Sequence, residues 1–97
     1  MKIEFNKNDG NLIVNLIGRL DTVTAPELDG FLNSNLNGVS ELTIDCDKLE
    51  YVSSAGLRVL LAVHKKMKGA LKLKSVQEAV MEVFEITGFA DILAIEK

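Results

Sequence analysis

Two hydroxyls stand side by side in Ser53-Ser54-Ala55-Gly56, between strand-like Tyr51-Val52 and an apolar helical pattern that opens at Leu57. At the mouth of a helix the first amide N–H groups lack partners within the helix. A phosphate placed there meets spare donors and the positive end of the helix dipole. The segment can therefore carry a phosphoryl group without unfolding anything, which makes it a candidate switch. A second reading is capping, in which Ser53 or Ser54 accepts a bond from a nearby N–H, worth about 1 kcal/mol. Small residues at 55 and 56 leave the helix mouth uncluttered, open to another protein's active site. The local residues leave cap and contact site evenly balanced.

Other chemistry finds less support. A strand-to-helix serine followed by Ala55-Gly56 resembles the nucleophile elbow of hydrolases, but Val52 replaces its leading glycine. The one histidine, His64, falls on the same helix, about 15 Å of rise away and far outside hydrogen-bond reach. Gly69 before Leu71-Lys72-Leu73-Lys74-Ser75 has the outline of a phosphate loop, yet the second glycine is missing and the segment reads as a strand. Asp45 with Asp47, and Asp21 with Glu27, have no companion cluster at metal spacing and read as solvated ends of elements. His64 reads as a half-buried imidazole, Cys46 as a small core residue, and Met67, Met81 and Phe84 as core filling. No metal, cofactor or catalytic residue is expected.

The elements that must hold the serines follow from periodicity. Ile3 and Phe5 alternate with polar residues as in a strand with one buried face, Asp9-Gly10 supplies a tight hairpin turn, and Leu12 to Ile17 returns, ending at Gly18. Thr22 to Pro26 starts a helix: Thr24 can cap it, Pro26 fits the first turn and Glu27 suits the dipole. Leu28, Phe31, Leu32 and Leu36 recur at helical spacing until Asn37-Gly38. Glu41 to Cys46 is a strand, assigned to a second layer, and Ser54 to Lys68 is a helix ended by Gly69. Ala70 to Lys74 is a strand with Leu71 and Leu73 inward. A third helix, Gln77 to Thr87, turns Val76, Val80, Val83, Phe84 and Thr87 to its apolar side before Gly88, and Ile92 to Ile95 closes the chain. The order β-β-α-β-α-β-α-β implies one α/β domain over residues 1–97, with a mixed, mostly parallel sheet of four to five strands joined by right-handed crossovers.

Composition agrees with such a domain. The 97 residues are 47% hydrophobic and 26% charged, with a net charge of −3. A mild acidic excess gives no hold on a polyanion, so neither nucleic acid nor an anionic membrane is an expected partner. One cysteine cannot form an internal disulfide, and Met1-Lys2-Ile3-Glu4-Phe5 offers no signal-peptide core. No apolar run approaches bilayer length. The expectation is a cytoplasmic, reduced protein, monomeric by default because no apolar stripe is visibly surplus.

With the elements in place, the chain resembles a STAS domain of the anti-sigma factor antagonist kind, over essentially its whole length. The resemblance is carried by element order, by Gly18-Arg19-Leu20-Asp21 with Ala25 and Leu28, and by Leu49, Val52 and Ser53-Ser54-Ala55-Gly56-Leu57. The last segment is similar to the family's D-S-S-G-L phosphorylation motif, and aligning its Gly-Leu onto Gly56-Leu57 places the phosphoacceptor at Ser54, with Ser53 as runner-up. Two positions depart from that pattern: Ser53 stands where an aspartate is usual, and Arg58 where a glycine is common.

The resemblance implies a binding module rather than an enzyme. In such proteins the unmodified antagonist binds an anti-sigma factor, itself a serine kinase of the histidine-kinase-like ATPase fold, and so frees a sigma factor. The kinase phosphorylates the antagonist, which lets go, and a PP2C-type phosphatase resets it. Expected contact residues are Asp21, Thr22, Ser53, Ser54, Ala55, Gly56 and Arg58. Asp21 matches an acidic position near the family's phosphorylation site, and its plainer reading is a carboxylate supporting the Thr22 to Pro26 turn. Arg58 either pairs with the phosphate or touches the partner. Some STAS domains serve instead as unphosphorylated scaffolds or as subunits of transport machinery, and that is the alternative reading here.

Overall fold

An antiparallel hairpin starts the chain: β1 (Lys2–Asn8) pairs with β2 (Asn11–Leu20) in a register that sets Phe5 opposite Val14 and Asn8 opposite Asn11. The rest of the computed structural model, which describes residues 1–96, adds α1 (Ala25–Asn35), β3 (Glu41–Val52), α2 (Ser54–Lys66), β4 (Leu71–Lys74), α3 (Glu78–Thr87), a 3-10 turn (Phe89–Asp91) and β5 (Ala94–Ile95). The strands form one five-stranded sheet in the order β1-β2-β3-β4-β5. Every pairing after the hairpin is parallel. The expected element order and mixed sheet are present, while β3 belongs to this one sheet rather than to a second layer.

Register explains where the core sits. Val14, Ile44 and Leu73 are aligned across β2, β3 and β4 and are fully buried. They join Leu28 and Leu32 of α1, Leu57, Leu60 and Val63 of α2, and Val80 and Phe84 of α3 in one cluster. All three helices thus cover one face of the sheet. The opposite face sends Asn11, Ile13, Asn15 and Lys72 to solvent. Among the described residues no polar or charged side chain is buried. No helix among them is long and apolar enough to cross a membrane.

Several boundaries move for physical reasons. Phe5 shares the core face, but β1 is an edge strand, so its ring stays 54% exposed and meets Phe31 edge-on at 5.0 Å between centroids. Thr87 lies outside the apolar side of α3, exposed, with its hydroxyl donating to the Val83 carbonyl at 2.7 Å. α2 stops at Lys66 instead of Lys68, and β5 begins at Ala94 because the 3-10 turn takes up the preceding residues.

The largest difference concerns β2 and β3, both longer than their alternation predicts. The register slips between Asn15 and Ile17, and again between Gly18 and Arg19, each time with an extra residue on β3. These are β-bulges, and each one re-phases the strand. After Cys46 the inward residues of β3 are Leu49 and Val52, spaced by three rather than two. Gly18, at φ +108°, supplies on β2 a backbone shape that other residues rarely adopt. Asp45, read as a solvated strand end, lies beside the first bulge, and its Oδ1 accepts from the Asp47 amide at 3.0 Å. Because β4 pairs only with Leu42 to Asp45, the remainder of β3 runs on with β2 alone. The side left open there is met by α3, and the Gln77 amide group donates to the Asp47 carbonyl. This two-strand extension carries Asp21 and the serines out together.

Candidate functional site

Leu20 and Val52 are register partners at the ends of β2 and β3, and the Ser53 amide donates to the Leu20 carbonyl at 2.9 Å. Asp21 and Ser53 therefore leave the sheet side by side, at the C-terminal edge of parallel strands. Open α/β sheets offer their binding surfaces at that edge.

The two serines then part. Ser53 has extended backbone geometry (φ −98°, ψ 174°) and is the N-cap of α2, its Oγ accepting from the Gly56 amide at 3.3 Å. Ser54 is the first helical residue, exposed, with no side-chain hydrogen bond among the described residues. The Ser54 and Ala55 amides likewise find no partner among the described residues. Capping thus falls to Ser53, while the Ser54 hydroxyl is left exposed.

Gly56 has a different duty from the one its size indicates. It is buried, and a Cβ built on it would lie 2.7 Å from Leu20 Cγ and 3.0 Å from the Leu20 carbonyl oxygen. Its missing side chain lets α2 press against the end of β2. It clears space inside the molecule, not outside, and so drops out of the expected contact surface. Ala55 is half-buried and packs against the core cluster, whereas Arg58 is exposed one turn beyond Ser54.

Across the gap from Ser53, the loop joining β2 to α1 is pinned by Asp21. One carboxylate oxygen, Oδ1, accepts from the Val23 amide at 3.0 Å and the Thr24 amide at 3.1 Å. These bonds favour the ionised form, the Thr24 amide most, and hold the Asp21 carboxyl below its ordinary value against a smaller opposing effect of burial. Thr24 occupies the N-cap position of α1 but makes no side-chain cap. Its hydroxyl turns back instead, donating to the Arg19 carbonyl at 2.7 Å and accepting from the Asp21 amide at 2.8 Å. Thr22 is exposed, and so is Val23, at 84%.

Two further surface residues, Arg19 and Tyr51, escape a reading of the sequence. The second bulge brings them opposite each other, and the Arg19 guanidinium lies 4.2 Å from the centre of the Tyr51 ring. Arg19 Nε is also 3.9 Å from Asp21 Oδ2. Only the register reveals this cluster, and the register depends on the bulges. Val23 had a signal, an apolar residue between two threonines in a turn.

The remaining candidates stay apart from this surface. His64 is half-buried on α2, its Nδ1 without a partner among the described residues. Cys46 is buried in the sheet; desolvation first, and the neighbouring Asp45 charge second, push its thiol up to about 12. Such a thiol is inert. Phe84 is fully buried, with Met67 and Met81 packed at the margin of the core. Among the described residues no three His, Cys, Asp or Glu side chains gather as a metal site.

Comparison with known proteins places this surface in context. The family model for the STAS domain matches residues 2–97. BtrV of Bordetella bronchiseptica, provisionally named an anti-sigma factor antagonist, is 38% identical over 98% of this chain and 85% of its own length. The anti-sigma-B factor antagonist of Bacillus subtilis is 31% identical over 98% of this chain and 90% of its own. Among solved structures, the Bacillus cell fate determinant SpoIIAA in its phosphorylated form superposes with a TM-score of 0.74 at 13% identity, covering 99% of this chain and 92% of that one. At that identity the likeness is one of fold.

Proposed function

From the premise that this chain belongs to the STAS domain family, we propose that it is an anti-sigma factor antagonist switched by phosphorylation of Ser54. It is a binding module and kinase substrate, not an enzyme, acting as a monomer in the cytoplasm. Unmodified, it holds an anti-sigma factor that is also a serine kinase of the histidine-kinase-like ATPase fold, and a sigma factor is freed. In the phosphorylation step Ser54 Oγ bonds to the γ-phosphorus of ATP, the bond to ADP breaks, and the hydroxyl proton passes to a base of the kinase. A PP2C-type phosphatase reverses the modification with water. The names of the curated relatives support the assignment.

The observation that carries the choice of residue is the division of labour between the serines. Ser53's oxygen is committed to the Gly56 amide, while Ser54 is exposed and its hydroxyl makes no hydrogen bond among the described residues. Phosphate there adds about −1.5 to −2 charge at neutral pH at a fixed point on the surface. The partner then meets bulk and charge on a face it fitted. Asp21, Thr22, Ser54 and Arg58 form the contact surface, with Val23, Arg19 and Tyr51 beside them.

The test is incubation with the cognate kinase and ATP, followed by mapping of the product by mass spectrometry. Modification is expected at Ser54, abolished by Ser54→Ala and retained by Ser53→Ala, which should lose about 0.5–1 kcal/mol of stability with its cap. Phosphate confined to Ser53 would overturn the site. No phosphate on either serine would favour an unmodified scaffold or a transport-associated subunit.

A further inference from the structure

We propose that Arg58 is the second arm of this switch: it stands free while Ser54 is unmodified and folds onto the phosphate once Ser54 carries one. This rests on the reading of Ser54 as phosphoacceptor and deepens it. Residues 54 and 58 lie one turn apart on the same face of α2, and both are exposed. Helical side chains lean toward the N-terminus, so a long side chain at 58 covers the turn that begins at 54.

The charge around Arg58 is what sets it apart. The chain has two arginines. Arg19 is already occupied, stacked on Tyr51 at 4.2 Å and 3.9 Å from Asp21. Arg58 has no carboxylate within ion-pair distance among the described residues, and the first turn of α2 contributes none. A guanidinium offers a planar fork of donors matched to phosphate oxygens, and among the described residues no carboxylate is paired with it. Phosphorylation would then do two things at one place. It sets an anion on the docking face, and it withdraws the one cation of that helix turn from any partner that had used it.

The test needs no kinase. Phosphoserine is placed at position 54 of the full chain during translation, and the second ionisation of its phosphate is followed by 31P NMR. Wild type, Arg58→Ala and Arg58→Lys are compared at low salt. Arg58 should lower that pKa by about 0.2–0.4 unit relative to Arg58→Ala, with part of the shift restored by Arg58→Lys. A merely structural arginine would not move this readout. Equal values in wild type and Arg58→Ala overturn the clasp and leave the phosphoacceptor assignment standing. Failure of the kinase to modify Ser54 overturns that assignment without touching the titration.

Discussion

At the scale of single residues, the site is built from short polar side chains that hold backbone. Asp21 is the clearest case. Its Oδ1 accepts from two amides, those of Val23 and Thr24, and the loop it closes leaves Val23 in solvent. The resemblance implies docking for Asp21 and the residues around it imply support of the turn; the hydrogen bonds establish the second and leave Oδ2 toward Arg19. Because these bonds hold the carboxyl below its ordinary value of 3.8, the charged form is favoured by folding. The associated stability is complete above the unfolded-state pKa and is lost as pH falls through the depressed folded value. Asp21→Asn should therefore melt lower than the parent at neutral pH, and the gap should close as pH drops below about 4. Thermal melts of both proteins between pH 7 and pH 2 check this; a gap that persists undiminished in acid would mean that the charge of Asp21 plays no part.

At the scale of elements, α2 is seated by contact with the end of β2, and Gly56 is the point of contact. Alanine there would gain about 1 kcal/mol of helix propensity. Its Cβ would also fall 2.7 Å from Leu20 Cγ and 3.0 Å from the Leu20 carbonyl, which flexible side-chain ends cannot relieve. Overpacking of that kind costs about 1–3 kcal/mol. Gly56→Ala is thus expected to lose stability in denaturant titrations, and Leu20→Ala beneath it should remove most of that increment in a double-mutant cycle. Element order was legible because periodicity of 3.6 and of 2 survives in the helices and in the first half of each strand. The ends of β2 and β3 were not, because the alternation Leu42, Ile44, Cys46 gives way to Leu49 and Val52 at the bulges. A reading tied to strict alternation halts at Cys46 and Gly18. It therefore misses the segment that sets Arg19 against Tyr51. The serine motif itself stood out in the sequence, but which hydroxyl is spent on the cap required the geometry of the helix mouth.

At the scale of the whole molecule, the distribution of polarity decides how a phosphate at Ser54 can act. Among the described residues no polar or charged residue is buried, and the Cys46 thiol and His64 Nδ1 stand singly, so no internal side-chain network is available for a surface charge to rearrange. Apolar cores packed at crystal-like density resist small deformations. Under the proposed switch, release of a partner would then arise at the contact face itself, from charge, from bulk, or from both. Net charge moves from −3 to about −5 on phosphorylation at neutral pH. In the full chain carrying phosphoserine at 54, amide shifts in 1H–15N spectra should change around Asp21 to Thr24 and Ser53 to Arg58, while α3 and the open sheet face stay put. Surface charge is screened over about 8 Å at physiological ionic strength and about 3 Å at 1 M. If repulsion dominates, raising salt should recover much of the affinity that phosphorylation removes. If bulk dominates, the deficit should persist at every salt concentration, and Ser54→Asp, which carries charge with less volume, should bind more tightly than the phosphorylated chain. Affinities measured for the unmodified, phosphorylated and Ser54→Asp proteins across one salt series separate the two causes. Widespread shifts reaching α3 would show instead that the scaffold transmits the signal, against what its apolar interior leads us to expect.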